Sequence, residues 1–448
     1  MKKESTQFVR VSGTSFKKGE KEMLFRGLGI GSWLNFEHFM VGIPTPDNQI
    51  RKTVKEIFGK EIADAFFDKV IRNFVTEKDF AFMKLCGINL LRVPFNYRLF
   101  IDDEHPETYK SEGFAYFDYL LDLCDRYEIY LMPDLHTTPG GQNPDWHSDN
   151  NTGVTQFWHY KVFRGQMVQL WAAIAEHCKN REYLLGYDLL NEPYLIDSPD
   201  LLTEFYRDVT EAVRRVDQNH ILLLEGDHFA MQFDCIHEIY DENTALTFHY
   251  YPTVWEPRLL EPSYDPAARR QKFREVLDEV SSIRETFHRP ILCGEAGCEI
   301  EPGQIEHVMT VLGEMIDLFN EKNISWTLWS YKDAHFMSIV YPKDSSPWMQ
   351  LVARVHETWN HHKEMDEAND LMNTIRALPE FKNATDELCY FMQFRQRGIL
   401  YRFQTECILK PLLKTYTAEE LLKLPDSFLL DNCDHYESYA KLLREKTK

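Results

Sequence analysis

The stretch Leu184-Leu185-Gly186-Tyr187-Asp188-Leu189-Leu190-Asn191-Glu192-Pro193 stays largely apolar as far as Leu190 and then turns polar. A short apolar run of this kind reads as a strand buried on both faces, and the Asn-Glu-Pro marks where it ends. The amphipathic stretch from Leu201 to Val216 follows, with the spacing of a helix that covers a sheet.

The same strand-then-helix unit recurs along the chain. Runs of strand type centre on Leu28 to Gly31, Ile88 to Val93, Ile129 to Leu135, Leu184 to Leu190, Ile221 to Leu224, Ala245 to Tyr250, Ile291 to Gly294 and Ile324 to Trp329. Helical stretches lie between them at Glu77 to Cys86, Phe117 to Tyr127, Val162 to His177, Leu201 to Val216, Ala267 to Thr286 and Glu306 to Asn320. Eight such units predict an α/β fold, a closed (β/α)8 TIM barrel, with its site at the C-terminal ends of the strands. Arg92, Asp134, His136, Asn191, Glu192, Glu225, His249, Tyr251, Glu295 and Trp329 all fall at or just past a strand end. Asp134 and Glu225 read as residues that orient neighbours.

From Ser346 onward the pattern is mostly helical. Trp348 to His361 would close the barrel, which gives a catalytic barrel over residues 1–362 and a helical C-terminal extension over 363–448. The extension carries a capping box at Thr417 to Glu420 and an amphipathic stretch from Phe391 to Leu409 that Gly398 interrupts. No Pro, Gly or Ser-rich linker precedes it, so it should pack on the barrel rather than swing free.

Composition narrows the partners. Fifty Lys and Arg against 71 Asp and Glu give a formal charge of −21, which opposes nucleic acid and anionic membranes as partners. No apolar stretch is long enough to cross a bilayer, and Met1-Lys2-Lys3-Glu4 opens no apolar leader, so a cytoplasmic location is expected. Nine scattered cysteines, an odd number set among apolar neighbours, suit reduced thiols. Cys293 and Cys298 lack the companions of a zinc site. The oligomeric state is not written in the sequence.

Glu192 and Glu295 carry the chemistry. Two carboxyls delivered to one cleft by different strands are what glycoside hydrolysis needs, one giving a proton to the leaving oxygen and the other attacking the anomeric carbon. Arg92 beside Glu295 would favour its charged form, and Tyr251 could donate a hydrogen bond to it. Glu192 would then be held protonated as the acid. His136 and His249 suit hydrogen bonding to substrate and carboxylates better than metal binding, so neither metal nor cofactor is expected. Trp329 offers a flat apolar face to a sugar.

These residues resemble glycoside hydrolase family 5, retaining β-glycosidases on an eight-stranded barrel, over most of Phe25 to Trp329. Arg92-Val93-Pro94-Phe95 is similar to the family's strand-end arginine, and Asp134-Leu135-His136 to its strand-three histidine. Asn191-Glu192-Pro193 is similar to its acid/base motif, with Asn191 on the sugar 2-hydroxyl, and His249-Tyr250-Tyr251 to its His-x-Tyr motif. Glu295 is similar to its nucleophile, and Trp329 to its aromatic floor. Gly31-Ser32-Trp33-Leu34-Asn35-Phe36-Glu37 and the run from Asp134 to Asn143 resemble its exo-β-1,3-glucanase branch. That likeness implies a cleft closed to a pocket, Glu37 on the terminal sugar and Asn143 in the substrate site. After Asn143 the chain departs, reading Pro144-Asp145-Trp146-His147. The resemblance thus implies an exo-acting β-glucosidase working on β-linked oligosaccharides or short glycosides. An endo-β-glucanase or β-mannosidase of the same family, an inactive carbohydrate-binding protein and a metal-dependent barrel hydrolase stand as alternatives.

Overall fold

The structure is a computed structural model that describes residues 7–43, 45–195, 200–301, 303–359 and 361–448; residues 1–6, part of the segment read for a leader, lie outside it. Eight parallel strands close into a barrel in chain order. They are β1 (Arg26–Gly29), β2 (Leu90–Asn96), β3 (Tyr130–Thr137), β4 (Gly186–Asp188), β5 (Ile221–Glu225), β6 (Thr244–Tyr250), β7 (Ile291–Ala296) and β8 (Ser325–Trp329). Every expected strand is present. β1 begins two residues earlier than its apolar run suggested, and β4 is the short core of a longer one.

Side chains alternate across each strand, so residues two apart share the barrel interior. Leu90, Met132, Ile221, Leu223, Ala245 and Leu292 fill its lower half together with Phe16, Phe25 and Val9. Val9 and Phe16 belong to a three-stranded antiparallel sheet, Val9–Ser12, Ser15–Lys18 and Lys21–Met23, which plugs the N-terminal end. With that end filled by apolar side chains, the polar residues gather at the other.

The outer helices also follow the pattern, with differences at their ends. The helix expected from Ala267 to Thr286 breaks at Ser282 into Pro266–Ser281 and Ile283–Phe287. The closing helix spans Pro347–His356 and stops short of His361. Between β1 and β2 lie two helices that the pattern had not shown, Asp47–Phe58 and Lys60–Phe74.

Residues 405–448 wrap the barrel. Buried Lys332 pairs with Asp79 at 2.7 Å and donates to the carbonyls of Phe74 and Phe428, tying three distant segments together. Removing one partner of such a buried pair costs about 3–5 kcal/mol. Cys433–His435 pairs antiparallel with Val340–Pro342, and the last helix, Glu437–Lys446, lies on Ile305–Glu321 with Lys446 bonded to Asp317. The capping box forms at Thr417 and Glu420. Gly398, however, does not interrupt its helix, which runs unbroken from Asp386 to Gln404. The expected division at 362/363 falls inside the helix His361–Arg376.

Candidate active site

The alternation that sends Leu90 into the lower core sends Arg92 into the upper barrel, where it is fully buried. Its Nε donates to Asp188 (2.9 Å), Nη1 to Glu295 (2.5 Å), and Nη2 to Asn191 (2.8 Å) and Glu225 (3.0 Å). Asp134 Oδ2 lies 3.2 Å from Nη2. One cation thus faces four carboxyls. Burial opposes its charge, but the carboxyls outweigh burial and hold Arg92 more firmly protonated than usual. The excess negative charge is relieved by retained protons: burial, then Glu225, push Asp188 well above the carboxylate range, and burial brings Asp134 to about 6. Asp134, Asp188 and Glu225 converge closely enough to hold a metal ion, but the Arg92 guanidinium lies within 3.2 Å of each and supplies the positive charge there.

Glu192 sits in the left-handed backbone region at φ 46°, which a residue with a side chain adopts only when its surroundings enforce it. Here its N–H donates to Glu225 Oε2 (2.6 Å) and its carbonyl accepts from Asn143 Nδ2 (2.9 Å). Gln142 Nε2 fixes the preceding carbonyl of Asn191 at 2.9 Å. The carboxyl then lies between two imidazoles, with His249 Nδ1 2.6 Å from Oε1 and His147 Nε2 2.9 Å from Oε2. Burial would raise the Glu192 pKa, but these histidines outweigh it and hold the carboxyl well below its usual range. His249 and His147 are raised in turn, against their burial, by the surrounding carboxylates. The expectation of a protonated Glu192 in the free site is therefore corrected: the proton rests on the imidazoles.

Glu295 ends β7 beside His249, its register neighbour on β6. Its Oε1 accepts from Arg92 and its Oε2 from the Tyr251 hydroxyl (2.8 Å), with His249 Nδ1 3.6 Å from Oε2. A second group occupies the side of the cleft towards β1. His136 Nδ1 is 2.7 Å from Asp134 Oδ2, and its Nε2 is 3.6 Å from Glu37 Oε1. Burial holds His136 neutral down to about pH 3 and pushes Glu37 well above its ordinary value, an effect that Glu295 and Glu192 increase. The network then assigns the His136 proton to Nδ1, facing Asp134. Trp329 lies parallel to the His136 ring at 5.9 Å, and its indole presses on Gly29 and Gly31, where any Cβ would sit within 2.6 Å of it. Glu37 Oε1 and Asn191 Nδ2 are buried without a hydrogen-bond partner among the described residues.

The ten strand-end residues picked out in the sequence therefore meet at one end of the barrel, with Glu37 and Asn143 beside them. Asp134 and Glu225 orient neighbours, as expected. Two residues of the cluster escaped the sequence reading. Asp188 lies inside the apolar run of β4, where only its charge marked it. His147 lies in the run where the chain leaves the family pattern, and nothing local linked it to Glu192.

Comparison with known proteins agrees with this geometry. The family model for Cellulase (glycosyl hydrolase family 5) matches residues 50–335. A β-xylosidase of Phanerodontia chrysosporium is 32% identical, the match covering 98% of each chain. Endoglucanase C of Acetivibrio thermocellus is 23% identical over 67% of this chain and 93% of its own, and a glucan 1,3-β-glucosidase of Candida oleophila is 28% identical over 53% and 60%. Thermotoga maritima Cel5A, solved with mannotriose, shares the fold at a TM-score of 0.52 and 14% identity, over 70% of this chain and 92% of its own. A barrel with paired strand-end glutamates, matched by that family over more than half its length, places the chain in glycosyl hydrolase family 5 as an O-glycoside hydrolase acting on carbohydrate.

Proposed function

We propose that the chain is a retaining, exo-acting β-glycosidase with Glu295 as nucleophile and Glu192 as acid/base. One observation carries this reading: a carboxyl oxygen of Glu192 and one of Glu295 lie within 4.8 Å of each other. Retaining enzymes hold their carboxyls about 5 Å apart, whereas inverting enzymes need about 6.5–9.5 Å to admit a water. Glu295 attacks the anomeric carbon, the bond to the leaving oxygen breaks, and that oxygen takes a proton from Glu192. As the ester forms, Glu295 loses its charge, the largest of the effects that raise His249. The His249 proton then moves across 2.6 Å to Glu192, which passes it to the leaving oxygen and is left ionised. In the second step Glu192 takes a proton from water, which attacks the ester and releases the sugar with its configuration retained.

Glu37, His136, Asn191 and Trp329 would hold the sugar beside Glu295, with Asn143 fixing the acid. Exo action is supported by the burial of the residues proposed to hold the sugar, Glu37, His136 and Trp329 each being 3% exposed or less. β-Glucosides are the proposed substrates. β-Xylosides are the second reading, favoured by the β-xylosidase relative matched along the full chain. A cytoplasmic location is part of the proposal, supported by nine free thiols, eight of them buried. A panel of aryl β-glycosides, followed by chromatography of early products from an oligosaccharide, tests the function. Single sugars released from one end are expected; a ladder of mid-sized products would make the enzyme endo-acting.

A further inference from the structure

The sugar-binding group lies on the Glu295 side, and beyond Glu192, where a leaving group must sit, the structure places a different set of residues. The turn after β5 holds His228, Phe229 and Ala230 all at positive φ, a conformation that side-chain-bearing residues rarely adopt in succession. Its N–H at Phe229 donates to the carbonyl of Pro193, next to the acid. The Phe229 ring is thereby set 6.1 Å from His147, which bonds Glu192. The next ring outward belongs to the C-terminal extension: Phe394 lies 6.2 Å from Phe229, and Tyr390 meets Phe394 edge-on at 5.0 Å.

The helix carrying them, Asp386–Gln404, is fastened to the loop that supplies His147. Arg397 pairs with Asp145 at 3.1 Å, and Gly153 and Gly398 let the two backbones meet, since a Cβ at either would lie within 2.8 Å of the opposite chain. Phe394 is buried, whereas Tyr390 is 44% exposed. Tyr390 and Phe394 lie outside positions 50–335, so the barrel family does not account for them.

We infer that helix Asp386–Gln404 forms the leaving-group wall of the cleft, with Tyr390 and Phe229 as its apolar faces, and that it selects aglycones presenting a flat apolar surface. An aryl group and the CH face of a second sugar share that chemistry. The inference rests on Glu192 being the acid, since that fixes which side the leaving group occupies.

The test compares wild type with Tyr390→Ala on methyl, 4-nitrophenyl and disaccharide glycosides of the preferred sugar. It adds inactivation by the matching 2-deoxy-2-fluoroglycosyl fluoride, which has no aglycone. Tyr390→Ala should lose about tenfold in kcat/KM where the aglycone stacks, and less than about twofold on the methyl glycoside and the fluoride. Loss on the nitrophenyl glycoside alone identifies an aryl aglycone, loss on the disaccharide alone a second sugar, and loss on both a general apolar wall. Equal loss on all four compounds, or none on any, overturns the inference. Failure of the fluoride to label the wild-type enzyme would instead count against the two-glutamate reading.

Discussion

His249 Nδ1 lies 2.6 Å from Glu192 Oε1 and 3.6 Å from Glu295 Oε2, so one imidazole spans the two carboxyls. Charge lost at one glutamate is thereby felt as acidity at the other, and the pair titrates together with His147 rather than residue by residue.

If that bridge supplies the acid's proton, replacing His249 with Gln should move the basic limb of the kcat/KM profile towards lower pH. In the wild type the last proton of the cluster sits on an imidazole raised well above its ordinary 6.5. The variant leaves Glu192 and His147 to carry it, an imidazole that the carboxylates raise less far than His249. A basic limb that stays in place would remove His249 from the proton path.

Glu295→Ala should lose on the order of 10⁴-fold or more in kcat without unfolding, since no other group stands ready to form the covalent bond. Added azide should restore turnover, and NMR should show the glycosyl azide with inverted configuration.

Glu192→Ala should discriminate by leaving group. An activated aryl glycoside still forms the glycosyl-enzyme in a burst, while an alkyl glycoside or oligosaccharide does not react. Equal loss on both kinds of substrate would deny Glu192 the acid role.

Glu37→Ala should weaken transition-state binding by about 0.5 to 1.5 kcal/mol for each hydrogen bond lost, seen in kcat/KM on a disaccharide, since burial favours an uncharged Glu37. An unchanged specificity constant would reopen the endo reading.

Asp149 offers a test of stability. It is buried, accepts from Asn48 N and Asn96 Nδ2, pairs with Arg98, and is raised by burial from 3.8 to about 6. Between those values the folded state binds the proton that the unfolded state has released, so this group's contribution falls as pH rises from about 4 to about 6. Asp149→Asn should flatten that part of a urea-denaturation series by roughly 2 kcal/mol. An unaltered slope would show that Asp149 titrates normally in the fold.

The barrel was legible because its signal is local. Strands such as Ile221–Glu225 and Ile291–Ala296 are apolar runs that state their own burial, and chain order fixes a parallel barrel once eight of them alternate with helices. Glu192 and Glu295 could be paired for the same reason, since both end strands of one closed sheet. What the sequence alone could not decide was set by contacts between segments far apart. The charge of Glu192 depends on His249, 57 residues away, and on His147 in a loop with no repeating pattern. Gly398 illustrates the same limit. As local sequence it reads as a break, but in the tertiary structure it is the point where a continuous helix meets the backbone of Asn151 and Thr152. An amphipathic helix announces that it has a face to bury, and only the packed molecule determines which surface that face covers.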